Sequence, residues 1–240
     1  LIVSEAGKHG MQVFDMSRLA DAAVLQAATP RTNTDPTAVP QLTEDAHFDR
    51  FGAAHNVFVN EQTKRAYVVG SSQGEKACDE AISVLDVSNP LKPKWIGCVG
   101  DDEFDYCHDV QCVVYDGPDA NYAGREICFG SMGDSFAIFD VTDIKDVQTL
   151  SRIEYDDLSF CHQGWLFDDS SKFVMNDEMD ELESLATAHT RSIVIDVSDL
   201  TKPTIASVHL SPKKATDHNN YAMMVGGQEL IFQANYAAGL

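Results

Sequence analysis

Positive charge is scarce in this sequence. Its 240 residues contain 17 Lys and Arg against 38 Asp and Glu, which gives a formal net charge of −21 at pH 7. Because such a charge repels phosphate backbones and anionic lipid surfaces, we expect no nucleic-acid partner. Long apolar runs are missing too, since no stretch reaches the roughly 18 to 20 residues that span a bilayer. We therefore expect no membrane-spanning segment.

Several motifs that carry chemistry are also missing. The sequence has no phosphate-binding glycine loop, no paired-cysteine zinc pattern, no basic aromatic patch and no Asn-x-Ser/Thr glycosylation acceptor. The first residues, Leu1 to Glu5, form no signal peptide and include no initiating methionine. We expect the chain to be a piece of a longer precursor.

The six cysteines are compatible with three disulfides. Cys112 and Cys128 fall on the two arms of a predicted hairpin, in a register that places them opposite each other. Cys78 and Cys98 fall at the start of one strand and the end of its antiparallel neighbour. Two such pairs favour an oxidising compartment, so we predict an extracellular or cell-surface location.

Two short series of residues repeat with one shared period. The first series consists of Phe14-Asp15-Met16-Ser17, Leu85-Asp86-Val87-Ser88, Phe139-Asp140-Val141-Thr142 and Ile195-Asp196-Val197-Ser198. The second consists of Ala54-His55-Asn56-Val57, Cys107-His108-Asp109-Val110, Cys161-His162-Gln163-Gly164 and Asp217-His218-Asn219-Asn220. The histidines step by 53, 54 and 56 residues. A period of about 50 residues is typical of β-propellers.

Each period contains four short segments rich in β-branched and aromatic residues, separated by turn residues. Four antiparallel strands, repeated radially, describe a propeller blade. In the third full unit the pattern places the innermost strand at Gly164 to Phe167. We predict an all-β propeller of four-stranded antiparallel blades, with four to five blades in residues 1–240 and more in the full chain. The predicted single domain has blade units of about 1–54, 55–107, 108–161, 162–217 and 218–240, with an insertion at 20–45.

Longer stretches resemble a known family. They are Ala54-His55-Asn56, the run from His108 to Tyr115, the run from Gly124 to Phe129, His162-Gln163-Gly164-Trp165-Leu166, the run from Asp177 to Glu181, Asp217-His218-Asn219 and the run from Ala234 to Leu240. Together they resemble the choice-of-anchor B family of LVIVD-repeat propellers, over nearly the whole chain. The resemblance implies a secreted or surface-anchored propeller and no particular activity. Cys107 and Cys161 depart from the tyrosine or threonine expected there, and they could form a third disulfide, stay free or bind metal.

The four repeated histidines begin innermost strands, so they should surround one mouth of the central channel. Loops after second strands lie on the same face and carry many carboxylates. The candidate metal ligands are His55, His108, His162, His218, Asp109, Asp177 and Glu178. Neutral imidazole would select copper or zinc, whereas carboxylates alone would suit calcium.

A structural interpretation of these histidines is favoured over the metal site. In tryptophan-aspartate repeat propellers, an equivalent histidine hydrogen-bonds within the fold, and successive blades diverge, so we expect neighbouring histidines to lie far apart for a shared ion. The acidic loop Asp177 to Glu181 lacks the glycine and spacing of an EF-hand and is interpreted as a solvated loop.

Two functional hypotheses remain. The first is a binding scaffold that presents its loop-rich face to a protein, a glycan or a calcium-bridged neighbour, as part of a larger assembly. The second is a copper or zinc enzyme that uses the channel-mouth histidines. We favour binding over catalysis and assign no catalytic residue.

Overall fold

The computed structural model describes residues 1–20, 43–100, 106–183 and 189–240, and the regular structure in these ranges is almost entirely β-strand. The predicted insertion at 20–45 lies largely outside the described residues. The strands are β1 (Met11–Val13), β2 (Ala46–Phe48), β3 (Asn56–Asn60), β4 (Arg65–Val69), β5 (Ile82–Asp86), β6 (Lys94–Val99), β7 (Asp109–Val114), β8 (Glu126–Ser131), β9 (Phe136–Asp140), β10 (Gln148–Ile153), β11 (Cys161–Leu166), β12 (Lys172–Asp177), β13 (Arg191–Asp196), β14 (Thr204–Leu210), β15 (Asn220–Val225) and β16 (Gln228–Gln233).

These strands form antiparallel sheets in chain order. The sheets β3–β6, β7–β10 and β11–β14 have four strands each, and β1–β2 and β15–β16 form two-stranded sheets. The first strands β3, β7, β11 and β15 contact one another in series, so the sheets radiate from a common axis. The prediction of an all-β propeller with four-stranded antiparallel blades is confirmed.

The hydrophobic core lies between neighbouring blades. Tyr67 and Ile82 of one blade pack in the same cluster as Val110 and Phe139 of the next. Every residue of β9 is buried, because a central blade strand is covered on both faces. Since each fully buried large apolar side chain contributes about 1.5–3 kcal/mol, these clusters fix the position of one blade against the next.

Three of the repeated aspartates, Asp86, Asp140 and Asp196, end the third strand of their sheet, and Asp15 lies two residues after β1. In each case Oδ1 accepts the backbone N–H of the Ser or Thr two residues later, at 2.9–3.1 Å; the pairs are Asp15 with Ser17, Asp86 with Ser88, Asp140 with Thr142 and Asp196 with Ser198. This Asx turn redirects the backbone toward the fourth strand. Hydrogen bonds from Ser88 hold the pKa of Asp86 below its usual range. The first repeated series therefore marks a turn in the backbone and not a ligand site.

The structure differs from the predicted pattern at two places. Strand β11 begins at Cys161, three residues before Gly164, because the β11–β12 register shifts between Cys161 and Gln163 and leaves His162 as an unpaired bulge residue. The acidic loop after β12 contains a one-turn helix, α1 (Asp180–Glu183), where the sequence predicted a solvated loop.

The expected disulfides are present, and a third is not formed. Cys112 and Cys128 face each other across β7 and β8, and Cys78, in a 3₁₀ turn just before β5, joins Cys98 of β6. Cys107 and Cys161 are buried free thiols. Burial raises the pKa of Cys161 to about 12, so this thiol stays protonated at neutral pH.

Removing the Cys112–Cys128 disulfide should lower the free energy of unfolding by about 3 kcal/mol, because it releases a loop of 16 residues in the unfolded chain. Urea unfolding of a Cys112→Ala, Cys128→Ala variant measures the loss. Cys107→Ala is the control, since it removes a buried sulfur and keeps both disulfides. Equal stability of the double variant and the wild type would rule out this contribution.

Candidate metal centre at the channel mouth

The four repeated histidines form one continuous row where the innermost strands begin. Ring centroids are 3.9 Å apart for His55 and His108, 4.3 Å for His108 and His162, and 4.4 Å for His162 and His218. We call these side chains the histidine row. The expectation that neighbouring histidines lie far apart is wrong, because the innermost strands converge on the axis and contact one another.

The first histidine of the row is held by a carboxylate. His55 Nδ1 lies 2.6 Å from Glu5 Oε1, and the glutamate side chain is 74% exposed. This hydrogen bond lowers the pKa of Glu5. His55 therefore already has a partner at the outer end of the row.

The second histidine connects two blades. His108 Nδ1 donates to the backbone carbonyl of His162 at 2.8 Å. A carbonyl can only accept, so Nδ1 of His108 carries the proton. The β11 bulge explains why this carbonyl is available. Burial, aided by the neighbouring His55, lowers the pKa of His108 to about 4, so the ring is neutral at physiological pH.

The third and fourth histidines share one carboxylate. His162 Nε2 lies 3.5 Å from Glu178 Oε2, and His218 Nε2 lies 3.7 Å from Glu178 Oε1. One donor atom from each of the three residues lies within 4.8 Å of the others. Burial, and then the neighbouring imidazoles, lower the pKa of His162 to about 3, which leaves a neutral ring with a free lone pair.

These separations suit a transition-metal ion. With metal–donor bonds of about 2.0–2.1 Å and tetrahedral angles, neighbouring donors lie roughly 3.4 Å apart. The two measured nitrogen–oxygen separations of 3.5 and 3.7 Å are close to that value. We call His162, Glu178 and His218 the candidate metal centre. His162 is 2% exposed and the His218 side chain 38% exposed, so the centre has one buried wall and one side open to solvent.

Asp109 takes part in blade-to-blade hydrogen bonding. Its carboxylate accepts Asn56 Nδ2 at 3.0 Å from the preceding blade and the N–H of Val110 at 2.7 Å. Burial raises the pKa of Asp109 to about 6, which outweighs the lowering effect of these two hydrogen bonds. Gln163 of β11 and Asn220 of β15 make a similar connection two blade interfaces further along, where the backbone N–H of Asn220 donates to Gln163 Oε1 at 2.7 Å. The carboxylate of Asp109, a predicted metal ligand, is therefore already hydrogen-bonded to two protein donors.

Asp177 points into the loop before β11. Its buried carboxylate accepts the N–H groups of Ser159 at 2.9 Å and Phe160 at 2.6 Å, and the Tyr155 hydroxyl at 2.8 Å. Arg191 Nη2 lies 3.5 Å away. The structure therefore brings Glu178, and not its neighbour Asp177, to the histidine row.

Sequence reasoning did not single out Asp217 as a candidate ligand. It immediately precedes His218, at the position held by Ala54, Cys107 and Cys161 in the other units, so it is the one charged residue in that column of the repeat. In the structure, Asp217 is buried against Asp180 and Glu181. A charge at an otherwise neutral repeat position is the signal that identifies it.

Among the described residues, no helix has the length and apolar character needed to cross a membrane.

No protein-family model and no curated protein matches this sequence. Among solved structures, the Dos1 propeller aligns with a TM-score of 0.51 and 9% identity over 75% of this chain and 42% of its own. A crystal structure of a protein from Lactobacillus plantarum aligns with a TM-score of 0.49 and 14% identity over 79% of this chain and 54% of its own. This chain therefore spans about half the length of these structures. At such low identity, the similarity to the Dos1 propeller bears on fold alone, and the fold of this chain is a β-propeller.

Proposed function

We propose that this protein is an extracellular β-propeller of the choice-of-anchor B type, a binding scaffold that holds one zinc or copper ion at its channel mouth. Three features support the proposal. The two disulfides suit an oxidising compartment. The sequence stretches named above resemble that family. The candidate metal centre supplies imidazole and carboxylate donors, which zinc and copper prefer.

The observation that carries the proposal is the convergence of two imidazole nitrogens on one carboxylate. His162 and His218 come from successive innermost strands, and Glu178 comes from the loop after β12. All three donors lie together without an ion. The neutral state of His162 means that no proton has to leave this ring for an ion to bind.

The number of protein ligands to the ion supports a role in binding a partner. Three protein donors leave at least one position of a tetrahedral ion free. Because the His218 side of the centre is exposed, that position faces solvent, where a carboxylate, imidazole or hydroxyl of a protein or glycan partner could occupy it. The metal would then join the loop-rich face to its partner.

A metalloenzyme is the second candidate, because three protein ligands with an open position are also the arrangement of catalytic zinc. There the bound water would become the nucleophile. Hydrolysis of p-nitrophenyl acetate that disappears on chelation and returns with zinc would favour the enzyme. Metal binding without such turnover would favour the scaffold.

Elemental analysis of the purified protein tests the metal centre. We expect about one zinc or copper ion per chain, removable by a strong chelator, and loss of that ion in a His162→Ala, His218→Ala variant. His55→Ala is the matched control, since it belongs to the same row but pairs with Glu5, and it should retain the metal. Wild-type protein that takes up neither ion, or a double variant that retains it, would refute the proposal.

A further inference from the structure

Three carboxylates meet beside the candidate metal centre without using any of its ligands. One oxygen from each of Asp180, Glu181 and Asp217 lies within 4.8 Å of the others. Asp180 and Glu181 belong to α1, in the blade formed by β11–β14, and Asp217 lies in the segment that leads into β15. Asp180 and Asp217 are both 0% exposed. We call these residues the carboxylate cluster.

Most oxygens of the carboxylate cluster have no hydrogen-bond donor. Asp180 Oδ1, both oxygens of Glu181 and Asp217 Oδ1 are buried without a partner. Buried polar groups are nearly always hydrogen-bonded, and an unpaired buried carboxylate is very costly. Two fully buried side chains therefore direct unpartnered oxygens into one small volume, where either bound protons or a bound cation must offset their negative charge.

The protein itself supplies too little positive charge. Among the described residues, the cluster has one ion pair, in which Arg191 Nε lies 2.6 Å from Asp180 Oδ2. The same guanidinium also serves Asp177, at 3.5 Å, and donates to the carbonyls of Asp156 and Asp157. The Arg191 backbone N–H donates to Asp217 Oδ2 at 3.2 Å but carries no charge. A divalent cation would supply the balance.

We propose that Asp180, Glu181 and Asp217 bind a calcium ion. Calcium takes six to eight oxygen ligands at about 2.3–2.6 Å in flexible geometry, and carboxylates bind it through one or both oxygens. The cluster offers oxygen donors only, whereas the candidate metal centre offers imidazole. The two sites are therefore selective for different ions.

The position of the cluster gives the ion a structural task. It would join α1 to the segment before β15, and so hold the β15–β16 sheet against the blade of β11–β14. Glu178 lies two residues before Asp180, and His218 directly follows Asp217. Calcium would thus fix both segments that carry the exposed part of the candidate metal centre.

Calorimetric titration with calcium chloride, after exhaustive chelation of the purified protein, tests this site. We expect one calcium ion per chain and a melting temperature several degrees higher in calcium than in chelator, since a ligand that binds only the folded state stabilises it. Asp217→Asn should weaken calcium binding at least tenfold, and Asp134→Asn, an exposed carboxylate paired with Arg152, should leave it unchanged.

The sign of the stability change separates calcium binding from simple burial of acids. In chelator, Asp217→Asn should melt at or above the wild-type temperature, because its amide replaces one of three crowded acids and can donate to the unpartnered oxygens of the other two. In calcium, the wild type should be the more stable protein. A wild type that shows neither binding heat nor a calcium-dependent melting shift would overturn the proposal, whether or not the variant folds. So would an Asp217→Asn variant that binds calcium as tightly as the wild type.

Discussion

Glu178→Gln should weaken zinc binding by at least about 100-fold. Glu178 is the carboxylate that both His162 and His218 approach, and an amide oxygen is a far poorer zinc ligand than a carboxylate. Changes to residues that only support a metal ligand already cost about 10- to 100-fold, so loss of a ligand should cost no less. Competition with a chromophoric chelator measures the dissociation constant.

The matched control is Glu5→Gln, because Glu5 also contacts a member of the histidine row but lies at its other end. Its zinc affinity should stay within about twofold of the wild-type value. The glutamine side chain keeps the size of Glu178, and its oxygen can still accept the Tyr236 hydroxyl, so the local fold should survive. Equal zinc affinity of Glu178→Gln and the wild type would remove Glu178 from the ligand set.

Asp177→Ala should lower the free energy of unfolding by about 3–5 kcal/mol, the range measured when one partner of a buried ion pair is removed. The carboxylate accepts hydrogen bonds from two backbone N–H groups and the Tyr155 hydroxyl, and each of these part-buried donors loses this acceptor in the variant. Arg191 loses one of its two nearby carboxylates as well. Urea unfolding of the purified variant measures the change.

This loss should be the same in chelator and in zinc, since Asp177 directs its oxygens away from the histidine row. Asp134→Ala is the control, because that carboxylate is 69% exposed and its ion pair with Arg152 should be worth no more than about 1 kcal/mol. A destabilisation by Asp177→Ala that vanishes in chelator would instead make Asp177 a metal ligand.

The repeats predict the fold because each one marks a local physical requirement. An aspartate followed two residues later by Ser or Thr makes the Asx turn that ends a third strand, and Asp86 and Asp196 do so in different blades. The histidine marks the start of an innermost strand. Since both requirements recur with one period, the blades and their order follow from the sequence alone.

The choice of metal ligand could not be predicted in the same way. Asp177 and Glu178 are neighbours at the end of a strand, where successive side chains point to opposite faces. Which of the two faces the histidines depends on the bulge at His162, which shifts the β11–β12 register by one residue. A bulge has no reliable sequence signal here, so the pattern left both residues as candidates.

The state of the two free cysteines also could not be predicted from the sequence. Cys107 and Cys161 are equivalent in successive blades, and the sequence leaves open whether they meet. The structure puts Cys107 in the cluster between the β3–β6 and β7–β10 blades and Cys161 in the cluster between β7–β10 and β11–β14. Cys161 Sγ lies 3.0 Å from Met175 Sδ. Equivalent positions thus face different interfaces, because the whole blade lies between them.

Anomalous X-ray diffraction at the zinc edge, on crystals of the zinc-loaded protein, locates the ion directly. We predict one strong peak at the channel mouth, bonded at about 2.0–2.2 Å to His162, His218 and a carboxylate oxygen of Glu178. Peaks only at surface histidines such as His209, or no peak at the mouth in zinc-saturated crystals, would contradict the proposed metal centre.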